Sequence, residues 1–172
     1  MRLTHCDAAR AALAAVRWQR LGALLAGMLL LVACGGEEPG GAAAVALGAG
    51  LSRYTPVEDG DAIELVFGSQ GGWHINLAAR FVGVRPDGAT VTYRLWNSDG
   101  QQQLAYPIKV YIPHDGTVAM ADGSFTRSGD RLVMLGAADT VVGRQVLAQL
   151  SAVVDGTLLQ DERRLTIVDE VP

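Results

Sequence analysis

Short hydrophobic runs alternate with turn signals from Ala62 to the end of the chain. Between Trp73 and Val82, Trp73, Ile75, Leu77, Ala79 and Phe81 fall on one side of a period of two. His74, Asn76, Ala78 and Arg80 fall on the other, which predicts a half-buried strand. Thr90 to Trp96 repeats the pattern with Val91, Tyr93 and Leu95 inward. Gln145 to Val154 carries it most cleanly, with Val146, Ala148, Leu150, Ala152 and Val154 set against Gln145, Gln149 and Ser151. Asp155-Gly156 then predicts a hairpin turn into a last strand over 164–168. Ala62 to Phe67 reads as a strand joined to 73–82 through Gly68-Ser69-Gln70-Gly71-Gly72. Leu104 to Ile112 reads as an edge strand or a strand with a bulge, because Pro107 has no N–H for a central ladder. Thr117–Met120, Phe125–Arg127 and Arg131–Leu135 complete the set, the last two separated by a break at Ser128-Gly129-Asp130. Turns at Arg85-Pro86-Asp87-Gly88, Asn97-Ser98-Asp99-Gly100 and Pro113-His114-Asp115-Gly116 have the residues that fix φ or admit positive φ. No long helical period occurs. Seven to nine short strands therefore predict an all-β, antiparallel β-sandwich over 57–172.

The chain before Ala62 has a different pattern. Four arginines precede an uncharged run of thirteen residues, Leu21 to Ala33. A helix of that length spans roughly 20 Å, short of the ~30 Å hydrocarbon core. A basic region, a short apolar region and small residues at its end predict a helical secretory signal peptide over 1–33. Gly, Ala and Pro dominate residues 35–50, so 34–56 reads as a flexible tether, its first sixteen residues reaching roughly 20–25 Å.

Leu31-Val32-Ala33-Cys34 resembles the lipobox of bacterial lipoproteins. The resemblance implies that Leu31, Val32 and Ala33 are read by signal peptidase II and that the Cys34 sulfur receives a diacylglycerol. Cys34 would become the first residue of the mature chain, held to a membrane by its acyl chains. Two or three such chains hold a protein firmly where one does not. Gly35 follows, where an Asp often retains lipoproteins in the inner membrane. The expected location is the cell envelope, extracytoplasmic, with the outer membrane favoured over the inner.

Cleavage would remove four arginines and one aspartate from a chain of charge −4. Ten basic and seventeen acidic residues remain, a charge of −7. That balance argues against nucleic acid, whose phosphates need clustered Lys and Arg. Cys6 would leave with the signal and Cys34 would be lipidated, so the folded domain would have no free cysteine and would rest on its core.

The strand pattern resembles an immunoglobulin or fibronectin type III domain over 57–170, with Trp73 early and a long penultimate strand hairpinned to the last. It lacks the cysteine pair of antibody-type domains. Gly68 to His74 is also similar to stretches of uncharacterised secreted bacterial lipoproteins.

Candidate chemistry is sparse. Gln70, Gly71, Gly72 and His74 form a possible ligand-binding turn, but the preferred reading is that the glycines serve to close the hairpin, since a five-residue loop needs them for geometry alone. His74, His114 and Asp115 are the candidates for a metal, although a metal site needs three or four converging ligands. The acids Asp59, Asp61, Asp99, Asp115, Asp122 and Asp130 are placed to hold calcium if loops converge, or simply to make turns. No Gly-x-Ser-x-Gly occurs, and Ser69, Ser98, Ser124 and Ser128 lack a nucleophile signature. No cofactor is expected. The expected function is a non-catalytic, lipid-anchored domain that binds or positions a protein, glycan or envelope component, with Trp96 and Tyr111 as a candidate aromatic patch. The alternatives are a periplasmic small-ligand or metal-binding lipoprotein and, last, a hydrolase.

Overall fold

Each alternating segment presents one apolar face, and these faces close on one another as two sheets. The computed structural model describes residues 41–169. The signal peptide expected over 1–33, the lipobox with Cys34 and the start of the tether lie outside the described residues.

Eleven strands form among the described residues. In chain order they are β1 (Ala44–Ala49), β2 (Thr55–Pro56), β3 (Ala62–Glu64), β4 (Val66–Phe67) and β5 (Trp73–Val82), then β6 (Thr90–Asn97), β7 (Ile108–Tyr111) and β8 (Val118–Ala119), and finally β9 (Phe125–Val133), β10 (Gln145–Val154) and β11 (Thr157–Val168). One sheet has the order β2-β1-β5-β9-β8, with β4 also paired to β5. The other has the order β3-β11-β10-β6-β7. Every pair is antiparallel except β3 with β11.

The two sheets pack as a β-sandwich. Its core is made by Ile75, Leu77, Ala79 and Phe81 of β5 and Leu132 of β9 from one side. Val91, Tyr93 and Leu95 of β6, the five alternating residues of β10, and Leu165 and Ile167 of β11 meet them from the other. Fully burying one such side chain contributes about 1.5–3 kcal/mol. The β10–β11 hairpin closes through Asp155 and Gly156, both at positive φ as the sequence pattern requires.

Several sequence expectations change. Of the strand expected over 104–112 only Ile108–Tyr111 forms, as the edge strand β7, while Ala105 bridges to Met134 instead. The last strand, expected over 164–168, begins already at Thr157, because the β10–β11 hairpin pairs along its whole length. Within the tether expected over 34–56, Ala44–Ala49 is instead a strand paired along β5, with Val45 and Leu47 buried. Gly48 admits the ring of Tyr54, since a Cβ there would lie 2.3 Å from Tyr54 Cε2. An Ala- and Gly-rich segment has little strand propensity of its own, and the open edge of β5 supplies the pairing. The strand expected over 62–67 splits at buried Leu65, so that β3 joins one sheet and β4 the other. The break expected at 128–130 is a β-bulge within a single strand, β9. The extra residue turns Arg127 and Asp130 to the same inner face, opposite Ala79 and Leu77. There Arg127 Nη2 lies 2.7 Å from Asp130 Oδ1, and the Tyr93 hydroxyl is buried beside the pair. Burial, and then the Asp130 charge, push the Tyr93 phenol well above its usual pKa.

Candidate functional site

The Gly68–Gly72 turn joins β4 to β5 through two backbone bonds. Gly68 N–H donates to Gly72 O and Gly71 N–H to Gly68 O, each at 2.9 Å. Gly71 and Gly72 both take φ of 86°, a conformation that L side chains disfavour. Phe67 meets Trp73 edge to face across the hairpin, with ring centroids 5.0 Å apart. Gln70 is exposed, whereas His74 is 8% exposed, paired across β5 with Val66 and Val133. Burial, and then the charge of Arg131, lower the His74 pKa. Neither Gln70 nor His74 lines any of the depressions described below. The turn's glycines thus meet a backbone requirement, with Gln70 in solvent and His74 buried.

The metal candidates do not converge. His114 Nδ1 lies 2.8 Å from Asp87 Oδ2, in the loops beside β7. Arg85 also binds this carboxylate, and that hydrogen bond is the main cause that lowers the Asp87 pKa. Asp115 is exposed in the loop after β7. Among the described residues, no three His, Cys, Asp or Glu side chains are grouped to hold a metal. Four of the six acids considered for calcium accept backbone N–H groups. Asp59 Oδ1 accepts the Arg164 N–H at 2.7 Å, Asp61 Oδ2 the Glu58 N–H at 2.8 Å and Asp99 Oδ1 the Gln101 N–H at 2.9 Å. Asp122 accepts from both the N–H and the hydroxyl of Ser124, which lowers its pKa, and pairs with Arg80. Asp130 is not a loop residue at all but faces inward from β9.

Two places offer binding geometry. The first is a groove of about 650 Å³ between the ends of β1 and β2 and the strand β3. Ala49, Pro56, Val57, Ile63 and Val66 make it mostly apolar. Asn76 also lines it, and its buried Oδ1 has no hydrogen-bond partner.

The second is the outer face of the β3-β11-β10-β6-β7 sheet, where strand register sets the side chains in rows. Tyr111, Thr90, Val153 and Leu158 form one row; Lys109, Thr92, Ser151 and Gln160 the next. Arg94, Gln149 and Glu162 follow, and then Trp96, Leu147 and Arg164. The Trp96 indole N–H donates to Gln149 Oε1 at 2.9 Å, and Gln149 Nε2 donates to Glu162 Oε2 at 3.2 Å. A depression of about 410 Å³ lies over Arg94, Gln149, Ser151, Gln160 and Glu162, and Asp161 and Arg163 also line it. Trp96 and Tyr111 do not form one patch: they share this face but stand at opposite ends of it, roughly 20 Å apart at strand rise. The sequence reading missed these rows because period-two alternation shows which residues face outward but not which strands stand side by side.

The fold and these surfaces define an all-β sandwich domain. No protein-family model matches the chain, and no curated protein matches it. Among solved structures it is similar to the CooA pilin subunit from enterotoxigenic Escherichia coli, with 13% identity and a TM-score of 0.33, over 74% of this chain and 99% of that one.

Proposed function

We propose that this protein is a lipid-anchored, extracytoplasmic β-sandwich that binds or positions a partner and catalyses no reaction. The observation that carries the reading is the ordered outer face of the β3-β11-β10-β6-β7 sheet. Arg94, Lys109 and Arg164 stand on it in no ion pair among the described residues. Anchoring rests on Leu31-Val32-Ala33-Cys34, and the outer-membrane location on Gly35 in place of Asp. The immunoglobulin-like reading is supported by strand order: β1-β5-β9-β8 follows the A-B-E-D order of such a sandwich and β11-β10-β6 the G-F-C order.

Two experiments test it. Cys34→Ser is expected to abolish labelling by an alkyne palmitate analogue and to release the protein from membranes; retained label overturns the anchor. A photo-crosslinker at Gln160 is expected to capture an envelope component that one at Val82, on the opposite outer face, does not. Equal capture overturns the binding face.

The groove beside Asn76 favours a second reading, a small-ligand lipoprotein. Its volume lies in the ~300–1,000 Å³ range of ligand sites, and a ligand donor would satisfy Asn76 Oδ1. Native mass spectrometry of the protein from cells separates the two readings: a co-purifying small molecule, lost on Asn76→Leu, supports this one.

A further inference from the structure

We infer that the outer face of the β3-β11-β10-β6-β7 sheet binds an acidic polysaccharide, with the sugar hydroxyls on its two polar rows and the carboxylates on Arg94, Lys109 and Arg164. The inference rests on the partner-binding reading above and narrows its ligand.

Charge is the first argument. The chain beyond Ala33 carries −7, yet the four rows of this face hold three cations and one anion, Glu162, with Glu64 of β3 standing apart at the far edge of the sheet. A local positive field on an acidic protein draws an anionic ligand to that face. The cations are also spread out. Arg94 and Lys109 are diagonal neighbours on adjacent strands, roughly 7–8 Å apart at the backbone. Arg94 and Arg164 are two strands and one row apart, roughly 12 Å. Such spacing suits charges distributed along a polymer better than one compact anion.

The second argument is the order of the rows. A protein interface places apolar residues at its centre and polar residues at its rim. Here the order is inverted. The two central rows contain only hydroxyl, carboxamide and charged side chains, and the apolar residues stand at the two ends. Hydroxyls and carboxamides both donate and accept, as sugar hydroxyls do. The Trp96–Gln149–Glu162 chain already holds the Gln149 carboxamide in place across three strands, which lessens the ordering needed on binding.

Calorimetry of the full-length chain in detergent, titrated with polygalacturonate, dextran and poly-glutamate, tests the inference. Polygalacturonate is expected to bind more tightly than either of the others. Arg94→Gln and Lys109→Gln are each expected to weaken it roughly tenfold, as loss of a charge-assisted hydrogen bond does. Gln160→Ala is expected to weaken it several-fold at an unchanged melting temperature. Failure to bind polygalacturonate, equally tight binding of poly-glutamate, or unchanged affinity in the Arg94→Gln, Lys109→Gln double variant overturns the inference. A protein crosslinked through Gln160, with no affinity for polygalacturonate, overturns the glycan and leaves the partner-binding reading standing.

Discussion

The Asp161 carboxylate on β11 accepts a 2.7 Å hydrogen bond from the backbone N–H of Leu47 on β1, and so ties the two sheets together. Only Gly48 and Ala49 of β1 are covered by β2, which leaves this N–H at an unpaired stretch of strand edge. Leu47 is 1% exposed, so water does not replace the bond. Arg163 Nη1 holds the other Asp161 oxygen at 2.6 Å, and the Tyr54 hydroxyl donates to Leu47 O at 3.3 Å.

Asp161→Ala is therefore expected to lower stability by about 1–3 kcal/mol, the effect of leaving a buried donor unmade. Asp161→Asn keeps an acceptor and is expected to lose less. Urea unfolding measures both; an alanine variant as stable as the wild type would show that the inter-sheet bond contributes nothing.

The Arg127–Asp130 pair at the bulge is a stronger dependency. Asp130 is 5% exposed, with Arg127 half-buried against it. Asp130→Ala leaves a guanidinium facing the core without its partner, and breaking a buried pair from one side costs about 3–5 kcal/mol. The urea midpoint is expected to fall further than in Asp161→Ala. The opposite order would place the weight of the fold at the sheet edge instead.

His74 makes stability depend on pH in the mildly acid range. Its folded pKa lies below the unfolded value of about 6.5, because burial and Arg131 disfavour the charged ring. The unfolded chain then binds the proton first as pH falls. The contribution is complete above about 6.5 and is lost as pH falls through the folded pKa. Thermal melts from pH 7.5 to 5 are expected to show a decline that His74→Leu removes. An identical slope in that variant would assign the decline to other groups.

The Gly68–Gly72 turn is expected to behave as geometry. Gly72→Val forces a β-branched residue to φ of 86° and should cost about 1–3 kcal/mol. Gln70→Ala, at an exposed position, should leave the melting temperature unchanged. Loss of stability in Gln70→Ala, with none in Gly72→Val, would reverse the assignment.

Much of the fold is legible in the residues themselves. Val146, Ala148, Leu150, Ala152 and Val154 are buried as their alternation requires, and so are Ile75, Leu77, Ala79 and Phe81. Alternation is a local consequence of strand geometry, and Asp155-Gly156 is a local consequence of turn geometry, so both can be read without the rest of the chain. Such reading fails where the partner decides. Ala44–Ala49 has the composition of a tether and becomes a strand because β5 leaves an edge open to it. Ser128-Gly129 has the composition of a turn and becomes a bulge because β5 runs on past it.

The same division holds for the sites. The residues that stand outward on β6 and β10 follow from sequence alone. Their assembly into rows with Lys109, Gln160 and Glu162 does not, because register between strands distant in sequence is fixed by tertiary packing. Gln70 and His74 are four residues apart and could be weighed as one site from sequence. The pleat and the hairpin set one in solvent and bury the other, an outcome that depends on Val66 and Val133 beside His74. What the sequence determined by itself is each strand's inward face and the positions of the tight turns. Only the tertiary structure decided which strands are neighbours, and therefore which side chains act together, because pairing depends on every edge in the sandwich at once.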